Sequence, residues 1–525
     1  MLESIVGEYL TRIIYNQTFS LVLGALGGSY LLWRLWAFTI KPMLRPDEPK
    51  PLPYWMPFLG HTYYFMTNPD QLFELGYVTF PKGEPFTLRL GSKKMIILTS
   101  NSDVAAAWKD TAALTFDPFV QQLMTLLSMS KKTQNILYKE EPETFMPVEK
   151  KSESLLLKKN PTHQAFYHLQ MEWVKQQLSG NMLTDIGNNF MGYINQSLYM
   201  DNFSSSFVYA SAPGEKSISL KKMVRYCLVS SATKAFFGPQ IQEVDPRFLE
   251  YYFNFEEAAW KMFYQYPRFL AQDLYGAAEG ILSTMTRYYD RPESEKPELV
   301  WMFKTIEAEM RHLGLPSRDI AIMSFMLFWG SNNNAHIICF WTVAHILTSP
   351  SLLASIRAET TRACSPSGSV DVPLLTSECP HLDAIWHEVL RLYTAVSLVR
   401  VALRPTTLSG KTLHEGDQVM SPFRQFHLNR ELFGEDAQEW NPDRFLKDKK
   451  LSSKKGYHPF GGGNTYCPGR FLAKQEVYTL VALMLYRFEI ELEDENLPTV
   501  NEAEPSLGAM RPIGDIRVKI REKKL

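Results

Sequence analysis

Phe460-Gly461-Gly462-Gly463-Asn464-Thr465-Tyr466-Cys467-Pro468-Gly469-Arg470 sets one cysteine in a glycine-rich turn, directly ahead of an apolar helical run from Phe471 to Leu485. A thiolate at the mouth of a helix is stabilised by the helix dipole and by backbone N–H groups aimed at the sulfur. The glycines let the backbone pass close to a flat partner where a Cβ would clash. Read alone, the loop also admits a plainer outcome, a buried structural cysteine in a tight turn.

Two further segments narrow the choice. Glu388-Val389-Leu390-Arg391 lies on the apolar-periodic stretch Leu382 to Leu392, and its Glu and Arg, three apart, share one helix face. Asn441-Pro442-Asp443-Arg444-Phe445 follows after short strand signals. In this order the three segments resemble the cytochrome P450 superfamily. Its loop pattern, Phe-x-x-Gly-x-Arg/His-x-Cys-x-Gly, is matched at Phe460, Gly463, Cys467 and Gly469. Thr465 departs from it, standing where Arg or His usually meets a haem propionate; it can donate one hydrogen bond but brings no charge.

The resemblance implies a mainly α fold with a small β region, with haem b held between a long distal helix and the helix after the cysteine loop. Cys467 would be the axial thiolate on iron, which favours O–O cleavage. Phe460, Gly463, Thr465 and Gly469 would contact the cofactor. Arg400 is a candidate for a propionate contact, with a solvent-facing strand residue as the alternative. Glu388, Arg391 and Arg444 would form a structural cluster near the haem, tolerable in a core only if every charge is hydrogen-bonded.

Composition bounds the rest. With 45% hydrophobic and 21% charged residues, the 525-residue chain reads as globular. A net charge of −1 gives no basis for nucleic-acid binding. No P-loop or dinucleotide fingerprint occurs, so electrons must come from another protein; the resemblance implies NADPH-cytochrome P450 reductase. The five cysteines are odd in number and sparsely spaced, which argues against a disulfide framework.

Residues 1–40 read as a single-pass membrane anchor. The apolar run from Phe19 to Trp33 continues past Arg34 to Ile40, with Trp33, Trp36 and Phe38 suited to an interface. Lys41, Arg45 and Lys50 follow it, which places the catalytic domain, 58–525, in the cytosol. A core helix is the alternative. Residues 41–57 carry six prolines and read as a semi-rigid hinge. Members of the family built this way sit in the endoplasmic reticulum membrane. Asn16-Gln17-Thr18 is a glycosylation sequon.

Along the body, Glu84 to Ser100 reads as a hairpin, followed by chiefly helical sequence to Leu392. The stretch 118–159 reads as irregular, and 213–216 and 291–296 as connections. Strand signals return at 398–408 and 418–420. The aromatic segment Tyr251 to Tyr275 fits either helix packing or a substrate chamber. Lys447, Lys449, Lys450, Lys454 and Lys455 form either a reductase-docking patch or a solvated loop.

The distal helix departs from the family. Asp319 to Ser349 is apolar but broken by Gly330-Ser331-Asn332-Asn333-Asn334-Ala335-His336. Where members carry an acid and then a Thr that relay protons, Asn334 and Ala335 stand here. Asn334 can hold a water but cannot serve as an acid, and the Ala335 side chain cannot hydrogen-bond. His336 is either a proton donor or a packed residue. This wording, the loop Thr465 to Arg470 and the end segment Leu507 to Ile516 are similar to the branch of sterol 7α- and 12α-hydroxylases and prostacyclin synthase. The resemblance therefore implies one of two activities. The first is a monooxygenase of a lipophilic sterol- or terpenoid-like substrate. The second is a reductase-independent isomerase or dehydratase of a lipid peroxide or endoperoxide.

Overall fold

The computed structural model describes residues 2–140, 146–160, 163–494, 496–502, 504, 506 and 508–523, with side chains from residue 19 onward. Leu507 and the Asn16 side chain lie outside it. Two compact units form, 1–115 with 399–421, and 116–398 with 422–525.

In the first unit the helix Leu2–Leu35 runs through a π turn, Trp36–Ile40, into Lys41–Leu44. From Phe19 to Leu44 it is long and apolar enough to cross a membrane, and none of its apolar window is buried in protein. Bare apolar surface of this kind marks an interaction with lipid or another apolar partner. Arg34 is shielded at its end. It donates to Tyr54 O at 2.9 Å and lies 5.9, 5.2 and 5.0 Å from the ring centres of Tyr30, Phe38 and Trp55, where aromatic faces attract a cation. Part of the proline-rich segment is strand, because Lys50–Pro51 pairs in parallel with Phe86–Thr87. Proline is tolerated there at a sheet edge. The expected hairpin forms from Phe86–Leu90 and Lys93–Ile97, turning at Gly91 with φ 58°. The six-stranded sheet runs in the order Lys50–Pro51, Phe86–Leu90, Lys93–Ile97, Gln418–Pro422, Ser397–Ala402, Leu114–Thr115.

The second unit is mainly helical. Every residue of the helix Ala335–Leu347 is buried, as expected of a helix apolar on all faces. The helix Arg470–Arg487 lies beside it, buried from Glu476 to Leu485. A four-stranded antiparallel sheet orders Phe488–Leu492, Arg517–Glu522, Glu215–Ser219 and Val208–Ala212.

Two expectations are corrected here. The segment 213–216 is more than a connection. Pro213 and Gly214, the latter at φ 72°, turn a hairpin whose second strand, Glu215–Ser219, pairs with Arg517–Arg521. Its outer strand, Val-Tyr-Ala-Ser-Ala, is largely exposed, so no buried face imposes an alternation to read. The stretch 118–159 is not irregular, since helices Asp117–Leu126, Lys131–Leu137, Val148–Lys151 and Leu155–Lys158 occupy most of what is described of it. The last is started by a distant residue. The buried Glu309 carboxylate accepts from Ser154 Oγ at 2.5 Å, Leu155 N at 2.8 Å and Leu156 N at 3.3 Å, satisfying N–H groups that a first turn leaves open.

Glu388 and Arg391, on the helix Pro380–Tyr393, are fully buried. Arg391 Nε and Nη2 each meet a Glu388 oxygen at 2.8 Å. Arg444 Nε reaches Glu388 Oε1 at 3.2 Å, and Asn441 N reaches it at 2.9 Å. Arg391 spends its remaining donors on the carbonyls of His427, Ala437 and Glu439.

Glu476 is a different buried acid, on the helix Arg470–Arg487, with its carboxyl pushed by burial from 4.5 up to about 8. A raised folded-state value favours the neutral acid, so the stability it contributes is full below about pH 4.5 and lost as pH rises toward about 8. Urea midpoints should fall across that window, and Glu476→Gln should flatten the fall. An unchanged pH profile in the variant would contradict this assignment.

Candidate active site

The cysteine loop is shaped by two left-handed glycines, Gly461 at φ 72° and Gly463 at φ 60°. Cys467 N donates to Phe460 O at 3.1 Å, closing the turn. Thr465 Oγ1 donates to Gly462 O at 3.2 Å. Gly469 caps the helix Arg470–Arg487, so Cys467 stands just ahead of its N-terminus. Burial pushes the thiol up, while the N–H groups of Gly469 and Arg470 and the Arg470 charge oppose it by favouring the thiolate. Arg470 is held in place by Cys467 O at 3.0 Å and by the faces of Tyr466 and Phe471 at 4.4 and 4.2 Å.

This sulfur is half-buried, and all five cysteines are free thiols. Among the described residues no group of three or more His, Cys, Asp or Glu could hold a metal ion. A haem iron, which needs a single protein thiolate, fits this loop; a multidentate metal centre does not.

The distal helix is interrupted where its sequence is. Ser317–Asn332 ends, Asn333 and Asn334 intervene, and Ala335–Leu347 begins. Asn334 Oδ1 accepts from Ala509 N at 2.8 Å. A Cβ on Gly508 would stand 2.1 Å from that oxygen, so only glycine permits the approach. Trp341 Nε1 donates to Met510 O at 2.9 Å. Together they strap the segment 508–510 to the helix. The Asn334 oxygen is thereby engaged by backbone, which fixes the orientation of its carboxamide. Ala335 is buried. His336 is also buried, with Nε2 2.5 Å from Glu256 Oε1.

Glu256 escaped the sequence reading. It sits on the helix Phe248–Ala258. Its position continues the buried stripe Phe248, Leu249, Tyr252, Phe255, and a carboxylate on such a stripe is the signal that marks it. Burial would raise its carboxyl, but the charge and hydrogen bond of His336, with Arg511 and Arg225, outweigh that and hold it below the usual range. Arg511 donates to Glu256 O at 2.7 Å and pairs with the Glu256 and Glu504 carboxylates at 3.6 and 3.4 Å.

Glu256, Glu504 and Arg511 line a cavity of about 220 Å³, whose lining also includes Phe116, Phe119, Leu123, Trp260 and Phe263. The aromatic segment both packs on neighbouring helices and contributes to this cavity's lining. Trp260 and Phe263 line the cavity, while Tyr252 and Phe255 pack on Phe328 and Phe325. Arg400 belongs to the first unit, where it is buried and donates to Val399 O at 2.8 Å. The five lysines before the cysteine loop are exposed, with Lys454 3.4 Å from Asp448.

The Asn334–Gly508 contact yields a direct expectation. Gly508→Ala should destabilise the protein in urea, and adding Asn334→Ala should restore at least about 1 kcal/mol, the scale of coupling between touching residues. Additive effects in the double variant would show that the strap does not depend on this approach.

A family model described as Cytochrome P450 matches residues 46–520. The cytochrome P450 monooxygenase poxD of Penicillium oxalicum is 24% identical over 87% of this chain and 90% of its own length. The 7-alpha-hydroxycholest-4-en-3-one 12-alpha-hydroxylases of Oryctolagus cuniculus and Homo sapiens are 31% and 30% identical, over 38% and 40% of this chain and 45% and 47% of theirs. The cysteine loop, the mainly helical fold and a match over most of the sequence agree: this chain belongs to the cytochrome P450 family of haem-thiolate enzymes.

Proposed function

We propose that this protein is a monooxygenase that oxidises a lipophilic sterol- or terpenoid-like substrate. It would use O2 and electrons delivered by NADPH-cytochrome P450 reductase. The observation that carries the reading is Cys467, set ahead of a buried helix with two backbone N–H groups on its sulfur. Haem, when bound, supplies the redox chemistry that inserts oxygen into an unactivated C–H bond. The protein's own residues do the rest. Cys467 holds the cofactor, with Phe460, Gly463, Thr465 and Gly469 as its further contacts. The aromatic walls of the cavity exclude water and receive an apolar skeleton. The lysines from Lys447 to Lys455 offer a cationic face to an acidic reductase.

The helix from Phe19 to Leu44 anchors the enzyme in the endoplasmic reticulum membrane with residues 58–525 in the cytosol, beside a membrane-dissolved substrate. Residues 41–57 link the two. The names of the relatives support both the reaction type and an apolar polycyclic substrate.

A second reading has a specific observation behind it. With Ala335 in place and the Asn334 oxygen bonded to Ala509 N, the acid–alcohol proton relay is missing. An isomerase or dehydratase of a lipid peroxide needs no such relay, because the substrate brings its own O–O bond.

Purified haem protein given lipid hydroperoxides and endoperoxides, without NADPH or reductase, separates the two. The monooxygenase reading expects little conversion there, and oxidation of sterols or terpenoids only when NADPH, reductase and O2 are all present. Fast peroxide rearrangement without reductase would overturn it in favour of the second reading.

A further inference from the structure

The polar end of the cavity is not fully spent. Glu256 Oε1 meets His336, yet Glu256 Oε2 is buried with no hydrogen-bond partner in the protein. Trp329 Nε1 and Asn333 Oδ1 are in the same position. All three residues line the one cavity. A buried polar atom left unpaired costs about 1–3 kcal/mol, so three on the lining residues of one cavity indicate groups kept for a ligand.

Their chemistry is specific. The indole N–H only donates, while the carboxylate and the carboxamide oxygen only accept. One donor with two acceptors complements a neutral hydroxyl, which gives one hydrogen bond and receives others. A carboxylate ligand is unsuited, because it would face the Glu256 charge. Arg511, the cation at this end, is already engaged by Glu256 and Glu504. The rest of the lining includes the apolar side chains of Phe119, Leu123 and Phe263, the last stacked on the Trp329 ring at 6.3 Å.

We propose that Glu256, Trp329 and Asn333 form an anchor for a neutral hydroxyl group on the lipophilic substrate. The substrate is then an alcohol before the enzyme acts on it, and the reaction that supplies it must be one that leaves a free hydroxyl. Glu256 accepts a hydrogen bond from the hydroxyl, Trp329 donates to the hydroxyl oxygen, and His336 and Arg511 keep the carboxylate oriented. The inference rests on the reading that this cavity receives the substrate. It does not depend on which of the two reactions follows.

Four probes of one bicyclic skeleton test it on the haem-loaded full chain: 2-decalol, 2-methoxydecalin, decalin and decalin-2-carboxylate. Affinity is read both from the change in haem absorption and by calorimetry. 2-Decalol should bind at least about tenfold tighter than 2-methoxydecalin, the worth of a hydrogen bond to a charged acceptor, and tighter still than the carboxylate. Glu256→Gln should close most of the gap between alcohol and ether. Trp329→Phe should weaken both while leaving decalin unchanged, which shows the cavity intact; it decides the matter should Glu256→Gln fail to fold. Equal affinity for alcohol and ether, or tightest binding of the carboxylate, would overturn the anchor. An alcohol preference in a protein that oxidises nothing with reductase leaves the anchor standing and removes the monooxygenase reading. Reductase-dependent oxidation without the preference does the reverse.

Discussion

Two arginines and a backbone amide converge on the Glu388 carboxylate, and both faces of the candidate site hang from the helix that carries it. On one side Arg391 grips the carbonyls of His427, Ala437 and Glu439. His427 in turn accepts from His458 N at 3.0 Å, two residues before Phe460, so the approach to the cysteine loop is fixed from this helix. On the other side the end of the same helix holds the strap over the distal break. Met510 N donates to Tyr393 O at 2.8 Å, and Ala395 N donates to Gly508 O at 2.7 Å. Removing one partner of such a buried cluster leaves an uncompensated charge, at a cost of about 3–5 kcal/mol. The cluster therefore serves less as added stability than as a joint that sets the loop and the cavity wall in register.

Its members could be found in the sequence because each announces itself locally. Glu388 and Arg391 share a helix face, and Cys467 stands among glycines whose φ values other residues rarely adopt. The same is true of the hairpin at Gly91, with β-branched and apolar runs on both sides. What stayed hidden depends on partners far along the chain. The helix Leu155–Lys158 starts where it does because Glu309 caps it from over 150 residues away. The strand Glu215–Ser219 exists because Arg517–Arg521 lies beside it. Glu256 is one of three acids on the helix Phe248–Ala258, set apart in sequence only by its place on the apolar stripe.

The distal break links these two lessons. In sequence, Asn334 and Ala335 read as losses, an acid and an alcohol gone from a proton relay. In the fold Asn334 has a structural task, because its carboxamide oxygen secures Ala509 and requires the glycine at 508. Ionisable groups lie close by: Glu256 and Arg511 line the cavity, and the buried His336 pairs with Glu256.

All of this presumes that Cys467 carries the iron. The most direct measurement is the absorption spectrum of the reduced, carbon-monoxide-bound protein, compared between the wild type and Cys467→Ser. A thiolate ligand gives the wild type the long-wavelength Soret band that follows from sulfur donation, and the variant must lose it, with or without retained haem. A variant that keeps the band, or a haem-loaded wild type that never shows it, would contradict the account.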